Sequence, residues 1–206
     1  MRLEQYLTEE FDADFEKTYD ILKRDCLKFL KESKGLLLYR GTNKGVSDRI
    51  VKRSVRQNRL PLDMPLDYHR EFDKELYKKF HWYPRTQGVF ATSDSLEAGN
   101  FGLSYLFFPI GNYKYVWSSS YYDIWVKFKQ AFPEIYSSSS TSYKHKEDHL
   151  KWIKNAVSTY INNKLYDAIV AGHEISFKCD NYYLVNEYYG YGTYFSQKYV
   201  QEIRKK

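Results

Sequence analysis

The sequence predicts an α+β protein: a split, mostly antiparallel β-sheet flanked by helices, with an N-terminal helical segment in front. Three observations predict it. Apolar residues recur at three- and four-residue steps within charged stretches at 3–32, 67–80 and 146–160, the period of amphipathic helices. Short apolar or aromatic runs lie between them, bounded by Gly, Pro, Asn or Asp, and read as strands. No internal repeat and no boundary divides the chain, so residues 1–206 read as one domain, with 1–34 as the helical segment and 35–206 as the core. A length of 206 residues suits one domain with a full hydrophobic core.

The elements follow in order. In the first helix Phe11, Phe15, Tyr19, Leu22, Cys26 and Leu30 form one stripe, and Gly35 supplies the C-cap. Leu36 to Tyr39 is a continuous apolar run, a buried strand that ends on Arg40, Gly41 and Thr42. The segment from Ser47 to Arg59 carries Arg49, Lys52, Arg53, Arg56 and Arg59, and reads as a solvated basic helix face or an extended arm. After a turn at Leu60–Pro65, the helix at 67–80 sets Phe72, Leu76, Tyr77 and Phe80 on one side. Leu103–Ile110 and Tyr113–Trp117 flank Gly111 and Asn112, which predicts a hairpin, with Pro109 arguing for an edge. A short helix is expected within 121–132, and a mobile loop at the serine-rich 137–142. The next helix has Leu150, Ile153, Val157 and Tyr160 as its stripe. Ile175–Lys178 and Tyr182–Val185 are two strands joined at Cys179–Asn181.

Composition bounds the partners. The net charge is +6 and the pI near 9.0, which permits an anionic partner, but the basic residues are dispersed and the longest run is Arg204–Lys206. Tyr occurs 22 times, so many half-buried hydroxyl-bearing rings are available to line contact surfaces. Two distant cysteines, Cys26 and Cys179, make no disulfide framework, and a reducing compartment is expected. The first fifteen residues are charged throughout, with no apolar signal core, and no apolar run approaches the roughly 20 residues that span a bilayer. The expectation is a protein with no membrane partner, at work in a cytoplasm.

Most familiar chemistries find no support. His145 and His149 are four apart, but Lys146 stands where a zinc protease needs glutamate, so the pair reads as a solvated helix start and no metal is expected. No glycine-rich phosphate loop and no glycine-flanked serine elbow occurs. Cys26 and Cys179 sit on packing positions. The stretch from Gln87 to Gly102 is more informative. A short strand, Val89–Ala91, ends on Thr92 and Ser93, and Asp94 or Ser95 then caps a helix whose first N–H groups face outward for anionic atoms.

Three motifs stand in order: Arg40 in LLLYRGT, Thr92–Ser93 in VFATSD and Glu174 in GHEISFKCDNYYLV. Together they resemble the mono-ADP-ribosyltransferases of the arginine–serine–glutamate class, over about Leu36 to Val185. The resemblance implies that fold and an NAD-dependent transfer of ADP-ribose to a macromolecular acceptor, protein or nucleic acid, as toxins, effectors and phage proteins do to host machinery. It gives Glu174 the role of stabilising the positive charge that builds on the ribose as nicotinamide leaves. Arg40 would grip phosphate or ribose, Gly41 would hold the nicotinamide amide, and Tyr39 and Thr42 would complete that wall. Thr92 and Ser93 would orient the glutamate and the ribose, with Ser93 counted as catalytic beside Glu174 and Arg40. Phe101, or one of the many tyrosines, could stack on nicotinamide. Arg85 has no place in the family pattern and could contact phosphate or pair with an acidic residue.

Two departures matter. Members that modify arginine carry a second Glu two residues before the catalytic one, and here that residue is Gly172. The resemblance therefore points away from protein arginine as acceptor. The middle motif reads Ala-Thr-Ser, not Ser-Thr-Ser. The rival readings are a non-catalytic nucleic-acid-binding protein, from the charge and the tyrosines, and a degenerate transferase-fold inhibitor.

Overall fold

Two four-stranded antiparallel sheets, each with its own helices, make the protein mixed α+β as the sequence predicts. The computed structural model describes residues 3–45, 48–136, 146–186 and 198–202. In chain order come α1 (Leu3–Asp25), α2 (Leu27–Ser33), β1 (Tyr39–Thr42), β2 (Ile50–Ser54), α3 (Leu66–Phe80) and α4 (Pro84–Gln87). Then follow β3 (Val89–Ala91), α5 (Ser95–Gly99), β4 (Leu103–Pro109), β5 (Lys114–Ser118) and α6 (Ile124–Ala131). The last are α7 (Lys146–Ser158), β6 (Tyr160–Ile161), α8 (Leu165–Val170), β7 (Ile175–Lys178) and β8 (Asn181–Val185). The serine-rich 137–142, His145 and most of the tail from 188 lie outside the described residues.

The chain divides into two compact units that interleave in sequence: 1–54 with 93–113 and 179–206, and 55–92 with 114–178. The first holds a sheet of order β1-β4-β8-β2. Its central strand β4 is buried on both faces from Tyr105 to Pro109, which explains the unbroken apolar run. On the Phe108 side, the rings of Phe29 and Tyr199 pack edge-on at 5.7 Å from Phe108. The N-terminal helices are tied to the sheet by Asp25, whose carboxylate accepts from Tyr183 Oη at 2.7 Å and whose carbonyl accepts from Gly111 N–H at 2.8 Å.

The second unit holds a sheet of order β3-β7-β5-β6. Its core joins Phe72 and Leu76 of α3, Trp125 and Phe128 of α6, Ile153 and Val157 of α7, and Val116 and Tyr160 of the sheet. This is the stripe pattern of three amphipathic helices laid on one sheet face.

Several elements differ from expectation. The N-terminal helix breaks at Cys26, and its end is reached through Lys34 and Gly35, both left-handed at φ 50° and 80°. The first strand starts at Tyr39, where the leucine run was expected to end, so Arg40 and Gly41 lie within it. The basic segment contains strand β2, paired with β8, because β-branched Ile50 and Val51 favour a half-buried sheet edge over a helix. The hairpin does not form. β4 and β5 belong to different sheets, and Gly111 at φ 66° turns the chain from one to the other. Pro109 is at the end of a central strand, tolerated because the next N–H, Ile110, reaches Asn181 O at 3.0 Å. Strands β7 and β8 are likewise consecutive but in different sheets. Tyr77 is 43% exposed, stacked on Tyr83 at 4.6 Å instead of joining the α3 core stripe.

Gly88 links α4 to β3 where space is tightest. A Cβ there would overlap Ser176 Oγ and the Pro84 carbonyl oxygen, two atoms bonded to each other at 2.7 Å. Gly88→Ala is expected to cost about 1–3 kcal/mol of stability, read as a lowered urea midpoint; an unchanged midpoint refutes this account of the turn.

Candidate functional site

Strand β3 pairs with β7 through Val89 to Phe177, Phe90 to Ser176 and Ala91 to Ile175. Thr92 and Glu174 are each the next residue beyond the last pair, so both stand at the same end of the paired strands. On the other side β5 pairs Trp117 with Ile175, so Ser118 follows beside Glu174 as well. Ser118 in turn pairs with Tyr160 of β6. Side chains alternate along a strand, which sets Phe90 and Ser176 on the face of Thr92 and Glu174. The backbone is fixed at this point by Glu174 N–H, which donates to Tyr122 O at 2.8 Å.

Burial dominates the Glu174 carboxyl. Loss of water, reinforced by the negative charge of Asp123, pushes its pKa from an ordinary 4.5 up to about 7, against the opposing pull of Arg85 and Arg59. Asp123 itself is committed to capping α6, accepting from Trp125 N–H at 2.7 Å and Val126 N–H at 3.0 Å. Burial raises the pKa of the Tyr160 hydroxyl.

Arg85 is carried by α4, and α4 is held by α3. The buried Asp73 carboxylate accepts from Arg85 N–H at 2.7 Å and Thr86 N–H at 2.9 Å, one bond to each oxygen. His69, one helical turn away on the same buried stripe, bonds Thr86 Oγ1 through Nε2 at 3.0 Å. Desolvation, helped by the Arg85 and Arg59 charges, lowers the His69 pKa to about 4. The imidazole is therefore neutral at physiological pH, and its 3.8 Å approach to Asp73 is not an ion pair there. Burial raises the Asp73 carboxyl against the hydrogen bonds of Thr86 and Arg85. The Arg85 guanidinium rests 5.5 Å from the Phe90 ring centre and 5.7 Å from that of Phe72.

The remaining candidates belong to the first unit. Arg40 lies opposite Tyr105, half-buried, with its guanidinium 5.9 Å from the Tyr182 ring. Tyr39 and Thr42 complete β1, and Thr42 Oγ1 accepts from Lys44 N–H at 3.2 Å. Gly41 also has a packing reason, apart from the expected close approach of a ligand. A Cβ on it would overlap the Ala98 carbonyl and meet Phe101 Cβ at 3.0 Å, so the glycine lets α5 pack on β1. Phe101 beside it is 44% exposed. The α5 N-terminus is not open to a ligand in the expected way. Asp94 Oδ1 takes the Leu96 and Glu97 N–H groups at 2.8 and 3.3 Å. Ser93 is half-buried just ahead of that cap.

The predicted residues thus form two groups: Tyr39, Arg40, Gly41, Thr42, Ser93 and Phe101 in the first unit, and Arg85, Thr92 and Glu174 in the second. The groups adjoin in sequence at the Thr92–Ser93 bond. Gly172 is at φ 73°, a left-handed turn position that disfavours a side chain such as glutamate. His149 is a packing residue, wholly buried with Nδ1 bonded to Tyr68 Oη at 2.7 Å and its ring 4.3 Å from Phe132. Among the described residues no group of three His, Cys, Asp or Glu could hold a metal. Both cysteines are buried, and burial raises their thiol pKa values, that of Cys179 to about 12. Sequence reasoning missed Asp73 and His69, although two polar residues four apart on the apolar stripe of α3 were a visible signal. Compared with known proteins, the chain matches no family model, no curated protein and no solved structure.

The folded chain holds the Glu174 proton up to about pH 7, whereas the unfolded chain releases it near 4.5. The folded state therefore loses stability as pH rises through that window. Glu174→Gln removes the titration, so its melting temperature is expected to gain on wild type between pH 4.5 and 8, by the equivalent of roughly 1–3 kcal/mol. A difference in melting temperature that stays constant over that range refutes the desolvated carboxyl.

Proposed function

We propose that the protein is an NAD-dependent mono-ADP-ribosyltransferase with Glu174 as its catalytic carboxylate. The observation that carries this reading is the half-buried Glu174 at the head of β7, its strand paired with the one that ends on Thr92 and its carboxyl pKa raised by partial desolvation. That is the arrangement in which a single negative charge has the most effect on a cationic transition state, because little solvent screens it.

In the reaction the bond between nicotinamide and ribose C1′ breaks, and its electron pair leaves with the neutral nicotinamide. Positive charge develops on C1′ and the ring oxygen, where the ionised Glu174 stabilises it. A lone pair of the acceptor then forms the new bond to C1′, and the acceptor's proton passes to solvent. Thr92, at the end of β3, orients the carboxylate. The left-handed Gly172 supplies no second carboxylate, which favours an acceptor other than protein arginine. With water as acceptor the same steps yield ADP-ribose and nicotinamide.

Two outcomes test this. Glu174→Gln is expected to lower NAD turnover by on the order of 10²–10³-fold, measured as nicotinamide release with purified protein and as label transferred from NAD in a cell lysate. Equal labelling by both proteins, or none by either, overturns the assignment. Because only the ionised carboxylate serves, kcat/KM for NAD is expected to rise with pH along an acid limb centred near the folded pKa of about 7. A flat profile from pH 5 to 8 speaks against Glu174 as the essential group.

A further inference from the structure

Beside Glu174 lies a second chemical feature, built on the same sheet face. The Arg59 guanidinium is 4.3 Å from the Phe90 ring centre and that of Arg85 is 5.5 Å from it. Phe90 is paired with Ser176, two residues along β7 from Glu174, so both cations gather where the strand alternation puts the carboxyl. Their placement is fixed by backbone bonds. Arg59 N–H donates to Thr86 O at 3.0 Å, tying its loop to α4, while Asp73 takes the N–H groups of Arg85 and Thr86.

Two like charges on one ring repel, and desolvating the Arg85 guanidinium costs free energy unless an anion compensates it. Two of the nearby carboxylates hold backbone groups: Asp73 the N–H groups of Arg85 and Thr86, and Asp123 those of the α6 cap. Asp63 acts on Glu174 from the exposed 60–65 turn. No carboxylate of the described residues forms an ion pair with Arg85, and its Nε is buried without a hydrogen-bond partner.

We infer that Arg59 and Arg85, seated on Phe90, form a phosphate-binding site on the Glu174 face of the second sheet. Two planar donor forks on a rigid aromatic base match the oxygens of a phosphate group. This inference deepens the transferase reading and rests on it for the identity of the ligand: the phosphate belongs either to the dinucleotide or to a phosphate-bearing nucleic-acid acceptor. The existence of the site does not depend on catalysis.

The test is binding by calorimetry to full-length protein, with three probes: inorganic pyrophosphate, ADP-ribose and a short 5′-phosphorylated oligonucleotide. Arg59→Gln and Arg85→Gln are each expected to weaken pyrophosphate about tenfold or more, while Arg40→Gln changes it less. A parallel loss for ADP-ribose assigns the site to the dinucleotide. A loss for the oligonucleotide with ADP-ribose unchanged assigns it to the acceptor. Arg85→Lys, which keeps charge and packing but not the fork, is expected to bind between wild type and Arg85→Gln. Arg59, on a loop, gives a variant that keeps the α4 packing intact. Unchanged affinity for all three probes in both glutamine variants overturns the site, as does a pyrophosphate loss confined to Arg40→Gln. Because no probe needs turnover, binding that survives in an inactive protein separates failure of the transferase reading from failure of this one.

Discussion

A half-buried carboxyl group at the head of β7, partly stripped of water, is the constraint around which the second unit is arranged. The unit could have closed its core with an apolar residue at 174, as it does one step later with Ile175, which is wholly buried. It places a glutamate there and bears the desolvation, visible as a proton held to about pH 7. Buried ionisable groups that lower stability are commonly retained for chemistry. The neighbours fit that view. The strand on one side of Glu174 ends on the hydroxyl of Thr92, while on the other side the Ser118 hydroxyl is spent on Thr159 Oγ1 and on the Ser120 and Tyr121 N–H groups. The two arginines favour its ionised form from a distance, whereas an ion pair would cancel the charge that the chemistry needs.

The rigidity of this arrangement comes from polar groups buried on an otherwise apolar helix face. Asp73 and His69 lie on the stripe of α3 that also carries Phe72 and Leu76, and each is nearly inaccessible. Asp73 satisfies both oxygens with backbone N–H groups of α4, so a four-residue helix too short to be stable alone is locked to a longer one. The alternative, an apolar residue at 73, would pack as well but leave two amide protons of α4 unbonded. Arg85 is thereby positioned by its main chain, and its side chain stays available.

The sequence was read well where one physical signal was strong. Helical periodicity located α1, α3, α6 and α7, and the Asp94 cap located α5, because amphipathic stripes and caps are local. It was read less well where tertiary pairing decides. Gly111–Asn112 and Cys179–Asp180 carry every local mark of hairpin turns, yet each connects strands of different sheets. A turn signal says that the chain reverses, not which strand it next pairs with. For the site, the individual residues were legible and their reasons were not. Gly41 was marked as special, but its cause is the Ala98 carbonyl packed against it, a contact 57 residues away in the chain. Arg59 was one basic residue among five in its segment, and nothing in the spacing distinguishes it. Only the bond from its amide to Thr86 and the ring of Phe90 do.

In the proposed transfer, charge near the reacting carbon decides what can approach it, and here two features act in the same direction. At Gly172 the backbone turns through a left-handed conformation, so the position two residues before Glu174 favours the absence of a side chain and contributes no carboxylate. On the opposite flank the sheet face gathers Arg59 and Arg85. A cationic acceptor would meet one partly protonated carboxyl and two fixed positive charges, which is unfavourable on every term. An anionic acceptor would meet the guanidinium pair first and be drawn toward the same face, with its phosphate compensating charges that the fold leaves uncompensated at Arg85. The selectivity would then arise from repulsion of the wrong acceptor as much as from attraction of the right one.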